Sequence, residues 1–366
     1  MSARSESRGS ESTGKVRVGV VGTSTHAETM HIVPLLSHPG SELVALCGRR
    51  RGHTEEVARK HGVPGAYTDY QEMIGSGILD AIVVAGPDDT HHDVAMAALE
   101  VGLHVLCEKP LALTVDQARE MRERADAAGV VNMVYHTWRW LPHARFVKRL
   151  LDEGYLGRLF EVSLSYVADY GLEPSYAWRF DRARANGVLA DLGSHMIDLA
   201  RYFAGGVGAV SADLATYVER PGPEGRTYET ANDSAQLTLG MQSGARAVIH
   251  VSAVASVGSV GQEQRITLVG ERGTVEAFYP SPGFLVRSAL RGEDWRTLEI
   301  PADILAGVDP ADPFEVFVRQ SVGDRAFVDA ILEGRRGEPD FADGLRVQEI
   351  IGAAIESAAS GCVVAI

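Results

Sequence analysis

Val18 to Met30 reads VGVVGTSTHAETM: a short β-branched run, a glycine, then a segment of helical composition. Gly22 falls where a strand would hand over to a helix. The spacing G-x-G-x-x-G/A, which lets a backbone approach a pyrophosphate at a helix N-terminus, falls on Gly22, Ser24 and Ala27. Serine replaces the second glycine, but it is small and its hydroxyl can donate to a phosphate. Taken alone, the turn is equally an ordinary strand-to-helix connection. Its place at the head of an alternating series raises it to a candidate dinucleotide site, with Gly22, Ser24 and Thr25 as contacts.

The alternation continues outward from that turn. Strands are expected at Glu42–Cys47, Asp80–Ala85, Leu103–Cys107 and Val131–His136. Helices are expected between them at Glu55–His61, His92–Val101 and Val115–Ala128. Apolar, non-alternating strands separated by helices imply a parallel sheet covered on both faces. Beyond Trp138 the pattern changes. Long β-type runs at Arg158–Tyr170, Ala209–Glu219, Ser234–Gly240, Ala245–Val254 and Arg265–Val269 follow with few helices between them. That half reads as a largely antiparallel sheet, closed by helices at Asp312–Leu332 and Phe341–Ala359. The expected organisation is a polar tail over residues 1–15, a dinucleotide-binding α/β domain over 16–137 and an α+β domain over 138–366.

Bulk composition fits this plan. A chain of 366 residues with 45% hydrophobic and 23% charged residues is long enough for two cores. The formal charge of -14 argues against a broad nucleic-acid or anionic-membrane surface. The cysteines, Cys47, Cys107 and Cys362, have no zinc spacing and read as reduced thiols. With no apolar leader and no run long enough to span a bilayer, the expected compartment is the cytoplasm.

Two further stretches carry chemistry. In LHVLCEKPLAL, Leu103 to Leu113, an apolar strand stops at Glu108, Lys109 and Pro110. Charges at the carboxyl end of a parallel strand face the ligand crevice, and Pro110 cannot extend the ladder. In NGVLADLGSHMIDLARYF, Asp191, His195 and Asp198 share one face if the segment is a single helix. A lone buried histidine is usually structural, and a metal would need further ligands that the spacing does not supply. Proton transfer is the third reading, with a carboxylate fixing the imidazole tautomer. After the second strand comes CGRRRGH. An NAD site usually has a carboxylate at the position of Gly48 to hold the ribose. Glycine there, followed by Arg49 and Arg50, argues for NADP(H) over NAD(H), against the plain alternative of a solvated basic turn.

Glu108-Lys109-Pro110 after a dinucleotide domain, followed by Asp191-x-x-x-His195, resembles the Gfo/Idh/MocA oxidoreductases. Gly86-Pro87 with His91, the Trp178-Arg179 pair and Asp343-Gly344-Leu345-Arg346 extend the resemblance from about Val16 to the C-terminus. The resemblance implies a Rossmann domain followed by an open-faced antiparallel sheet that pairs subunits as dimers or tetramers. It implies catalysis by Lys109, Asp191 and His195. Cofactor contacts would come from Gly22, Ser24, Thr25, Gly48, Arg49, Arg50, Gly86, Pro87, His91, Glu108, Lys109, Trp178 and Arg179. Tyr135, Arg139 and Tyr176 would join Lys109, Asp191 and His195 around a polyol, sugar, amino sugar or cyclitol, and no metal is implied. Ser24, Gly48, Thr137 and Asn186 depart from the family pattern. Other chemistries open to such a chain are a redox-neutral glycosidase, which returns its hydride to the sugar, and a non-catalytic sugar or dinucleotide sensor.

Overall fold

A computed structural model describes residues 14–281 and 283–366. The N-terminal half is a parallel sheet of strands β1 (Val16–Val21), β2 (Ser41–Cys47), β3 (Gly65–Tyr67), β4 (Ala81–Val84), β5 (His104–Cys107) and β6 (Asn132–Val134). Their spatial order is β3-β2-β1-β4-β5-β6, all parallel. This is the doubly wound order whose ligand crevice opens where the winding reverses, between β1 and β4. Strand β4 is buried throughout because helices cover both faces.

The connection after β1 is not one helix. It runs through α1 (Thr25–Ala27), a π-turn (Glu28–Ile32) and α2 (Val33–Ser37). The following helices are α3 (Arg51–His61), α4 (Tyr70–Gly75), α5 (Asp88–Glu100) and α6 (Val115–Ala128). Thr114 and Gln117 close a reciprocal capping box on α6, and Gly129 ends it with φ 64°.

The C-terminal half opens with α7 (Pro142–Asp152) and β7 (Leu159–Ala168), then α8 (Gly187–Asp191) and α9 (Gly193–Ala204). Strands β8 (Val207–Ala215), β9 (Ser234–Met241), β10 (Arg246–Ser252), β11 (Gln262–Gly270), β12 (Gly273–Ser281), β13 (Gly283–Leu290) and β14 (Arg296–Leu298) follow. After α10 (Ala302–Leu305), α11 (Val316–Arg319), α12 (Asp324–Glu333) and α13 (Phe341–Ser360), a short strand β15 (Val364–Ala365) joins the edge beside β8. The nine-stranded sheet is antiparallel except for β7 and β10, which run parallel at its centre. Strand β9 alternates cleanly: Leu237, Leu239 and Met241 are buried, while Gln236, Thr238 and Gly240 are exposed. One face therefore packs on α9 and the other is polar and open.

Three sequence expectations change. The helix expected over Asp312–Leu332 breaks between α11 and α12, where Gly323 takes φ 55° and a Cβ would stand 2.9 Å from the Tyr135 ring. The segment Asn186–Phe203 is two helices that meet at Leu192, so Asp191 and His195 do not share one uninterrupted helix. The expected boundary at 137/138 separates the sheets but not the packing. α12 lies against β1 and β5, and Phe341 and Leu345 of α13 join the apolar cluster formed with β4, β5 and α6.

Candidate active site

The carboxyl ends of β1, β4 and β5 form one rim. Gly22 follows β1 with φ 141°, and a Cβ there would come within 2.5 Å of the Ala85 carbonyl oxygen. Only glycine lets the β1 and β4 turns approach so closely. Ser24 caps α1, its Oγ accepting from the Ala27 N–H at 3.2 Å, which leaves its own proton free to donate. This cradle suits a pyrophosphate. Gly86 ends β4, and His91 on α5 bridges the two neighbouring turns, with Nδ1 2.8 Å from the Pro110 carbonyl and Nε2 3.0 Å from that of Gly86. His91 is fully buried, so it holds the rim together from behind.

At the end of β2, Gly48 sits under the hydroxyls of Thr23 and Thr54, which would lie 2.5 and 2.6 Å from a Cβ. The space opened by glycine is thus filled by two side-chain hydroxyls. Arg49 and Arg50 are exposed and pair with none of the described residues, whereas Arg51 turns to Glu55 and Thr68.

Lys109 leaves β5 through a cis peptide to Pro110 and crosses to the other half of the molecule. Its Nζ donates to Asp191 Oδ1 at 2.9 Å and to the Asp191 carbonyl oxygen at 3.0 Å. The second oxygen of Asp191 accepts from the Tyr170 hydroxyl at 2.6 Å and stands 3.2 Å from Arg179 Nε. Burial alone would raise the Asp191 carboxyl, but Lys109 and Arg179 outweigh it and hold it well below the usual carboxylate range. Burial would lower Lys109, yet Asp191, Glu108 and Asp88 raise it, so the ammonium persists. The Arg179 guanidinium also lies 4.5 Å from the centre of the Trp178 ring. Beside this group Asp88, at the start of α5, is almost fully buried. Desolvation pushes it up to about 8, against the pull of Lys109.

The carboxylate partner expected for His195 is therefore engaged elsewhere. His195 Nδ1 is buried without a hydrogen-bond partner among the described residues. Burial first, then the Lys109 and His136 charges, hold its imidazole well below the ordinary histidine range, so it is neutral near pH 7. Around it stand His136, Trp138 and Tyr166, with ring centres 6.3, 6.3 and 6.4 Å away. Burial likewise lowers His136 to about 4.

Other expected substrate residues are held by partners of their own. Tyr135 is completely buried, and its hydroxyl donates to the Met30 carbonyl at 2.8 Å. Its ring packs on Trp140 and Phe317, so it is core. Arg139 donates through both guanidinium arms to buried Asp198, 2.9 Å from Nε to Oδ2, which pairs the two charges with each other. Tyr176 donates to Asp181 at 2.9 Å. Asn186, a departure in the motif, ties the halves together by donating to the Leu113 carbonyl at 2.8 Å. Glu108 points away from the cleft: Oε2 accepts from the Lys109 N–H at 2.9 Å, while Oε1 faces His26 and His31. Asp88, His26 and His31 were not singled out in the sequence. The sheet order brings Asp88 toward Lys109 and Glu108 to the two histidines, and no local spacing marks them.

A doubly wound sheet whose Gly22 turn, Lys109 and an opposing Asp191–His195 segment enclose one cleft is the plan of a two-domain nicotinamide-dependent oxidoreductase. The chain belongs to the Gfo/Idh/MocA family: residues 16–136 match "Oxidoreductase family, NAD-binding Rossmann fold" and residues 144–276 match "GFO/IDH/MocA C-terminal domain". It is 34% identical over 170 residues to levoglucosan dehydrogenase of Pseudarthrobacter phenanthrenivorans, covering 45% of this chain and 44% of that protein. It is 30% identical to an NADP(+) scyllo-inositol 2-dehydrogenase of Bacillus subtilis, over 57% of each chain. The chain thus aligns with about half the length of these curated relatives. A solved levoglucosan dehydrogenase in complex with NADH superimposes with a TM-score of 0.88 at 25% identity, over 96% of this chain and 99% of that one. Among the described residues, no helix is long and apolar enough to cross a membrane.

Proposed function

We propose that the protein transfers a hydride between a nicotinamide dinucleotide and a secondary alcohol or ketone of a sugar or cyclitol. The single observation that carries this is the Lys109–Asp191 contact closing one cleft between the Gly22 cradle and a neutral His195. The bound dinucleotide supplies the hydride acceptor for alcohol oxidation. On the protein side, His195 takes the hydroxyl proton, which requires an unprotonated imidazole. Lys109 remains an ammonium and donates to the oxygen as negative charge grows there. Asp191 aims Lys109 and is itself fixed by Tyr170 and Arg179. Trp138 and Tyr166, both buried, back the imidazole with apolar rings that keep it dry. In the direction of reduction the same groups return the proton.

NADP(H) is the preferred cofactor in this reading, supported by Gly48 and by Arg49 and Arg50, whose guanidinium groups pair with none of the described residues. Subunits pair through the open face of the nine-stranded sheet, where apolar Val248 stands exposed beside Thr238. The test is a panel of anhydrosugars, glucosides, inositols and their keto forms with each cofactor, oxidised for the alcohols and reduced for the ketones, read by absorbance of the reduced form. Reduction of NADP⁺ by at least one, abolished in Lys109→Ala, is the expected result. No turnover with any substrate in either direction would end the proposal.

A further inference from the structure

Behind the Lys109 turn, three side chains from distant parts of the chain converge. His26 Nε2 lies 2.8 Å and His31 Nε2 3.2 Å from the same atom, Glu108 Oε1. All three ligand atoms fall within 4.8 Å of one another. The sequence does not announce this, because residues five apart point about 140° away from each other on an α-helix. The π-turn Glu28–Ile32, with its wider winding, swings His31 back toward the side that His26 faces. Such turns occur often at functional sites.

From this convergence we infer that His26, His31 and Glu108 form a binding site for a divalent transition cation of the zinc or cobalt(II) type. Two imidazole nitrogens and one carboxylate oxygen are the donor set of an open zinc site, with water in the fourth position. Tetrahedral bonds of about 2.0–2.1 Å set donors about 3.3 Å apart. The present separations from Oε1, 2.8 and 3.2 Å, are within a few tenths of an ångström of that spacing.

The surroundings are those of a ligating histidine. His31 is fully buried, and its Nδ1 lies 3.1 Å from both oxygens of the equally buried Asp324. A carboxylate on Nδ1 keeps a proton there, the usual outer partner of a metal-bound imidazole, so Nε2 on the Glu108 side is the nitrogen that exchanges its proton for a metal ion. Two electron-rich atoms facing each other need a cation between them, and a metal ion takes the place of a proton. His26, with 55% of its side chain exposed, gives the ion a way in. Glu108 binds through Oε1 alone, so Oε2 keeps its bond to the Lys109 N–H. The cation therefore sits one carboxylate away from the turn that carries Lys109, without displacing it.

The test uses full-length, metal-free protein carrying Cys362→Ser, which removes the exposed thiol as a rival ligand. Cobalt(II) is titrated and followed by its visible ligand-field absorption, then displaced with zinc. One equivalent of tetrahedral cobalt, weakened more than about tenfold in His26→Ala and likewise in Glu108→Gln, is the expected result. His92→Ala, at a surface imidazole, should leave the titration unchanged. Because His26 is exposed, its variant keeps its fold, which circular dichroism verifies. Absence of a stoichiometric cobalt spectrum, or an identical titration in His26→Ala, would overturn the assignment and leave the cluster a hydrogen-bonded network.

Discussion

Lys109 and Asp191 meet across the seam between the two sheets, with Nζ 2.9 Å from one carboxylate oxygen and 3.0 Å from the backbone carbonyl of the same residue. One side chain comes from the dinucleotide half and the other from the half that must hold substrate. Both are largely shielded from water, so each depends on the other. Asp191→Ala leaves a shielded ammonium with a carbonyl as its remaining partner at this position. The expected cost is roughly 3–5 kcal/mol of stability, the range for breaking a buried pair from one side. Urea unfolding of both proteins measures it, and coincident curves would refute the coupling.

His195→Ala should lower kcat by about 10²–10⁴-fold while dinucleotide affinity stays nearly constant. The pH dependence is the sharper test. The imidazole acts as a base only when neutral, so alcohol oxidation falls as pH drops through its pKa. Burial holds that pKa well below the ordinary 6.5, which places the acidic limb below pH 6.5. A variant with full rate and an unchanged limb would move the base to another group.

Arg49→Ala or Arg50→Ala should weaken NADP(H) binding by about 1.5–3 kcal/mol, the range for hydrogen bonds to charged groups. NAD(H) binding should barely change, because neither arginine has a structural partner among the described residues to lose. Calorimetric titration of both cofactors gives the comparison. Tighter binding of NAD(H) by the wild type would reverse the assigned preference.

Asp88 makes stability depend on pH in an unusual direction. In the folded protein it stays protonated up to about pH 8, against 3.8 for the free side chain. Between these values the native state binds the extra proton, so stability declines as pH rises through that window. Below it the contribution is complete, and above pH 8 it is lost. The slope from this group is at most about 1.36 kcal/mol per pH unit. Asp88→Asn should remove the decline, so the variant gains on the wild type between pH 5 and 8 in urea unfolding. Parallel curves at both pH values would show that the carboxyl is ionised in the native state.

Much of the architecture was legible because burial leaves periodic marks. Apolar runs such as Ala81–Val84 announced strands covered on both faces, and Gly22 announced a tight turn. Lys109, Asp191 and His195 were legible as candidates because polar groups at strand ends and amid apolar helices need a reason. Their partners were not. Spacing on one helix suggested that Asp191 serves His195, yet the helix breaks at Leu192 and the carboxylate turns to Lys109, Tyr170 and Arg179. Tyr135 and Arg139 have the composition of a sugar pocket, but a buried tyrosine in the core and a buried arginine on Asp198 have the same local pattern. Periodicity tells which way a side chain faces, whereas the partners of these residues depend on contacts up to 105 positions away in the chain.

Asp324, which completes the surroundings of His31, begins α12 and lies 293 positions later in the chain. During synthesis the six-stranded sheet emerges first, yet it stays unfinished until α12 and α13 arrive to cover it. Until then His31 lacks Asp324 and β1 lacks the cover of α12, the kind of exposed apolar surface that incompletely folded chains carry. The halves of this protein are consequently not two beads folded one after the other. Helices made later close a part that was made before them.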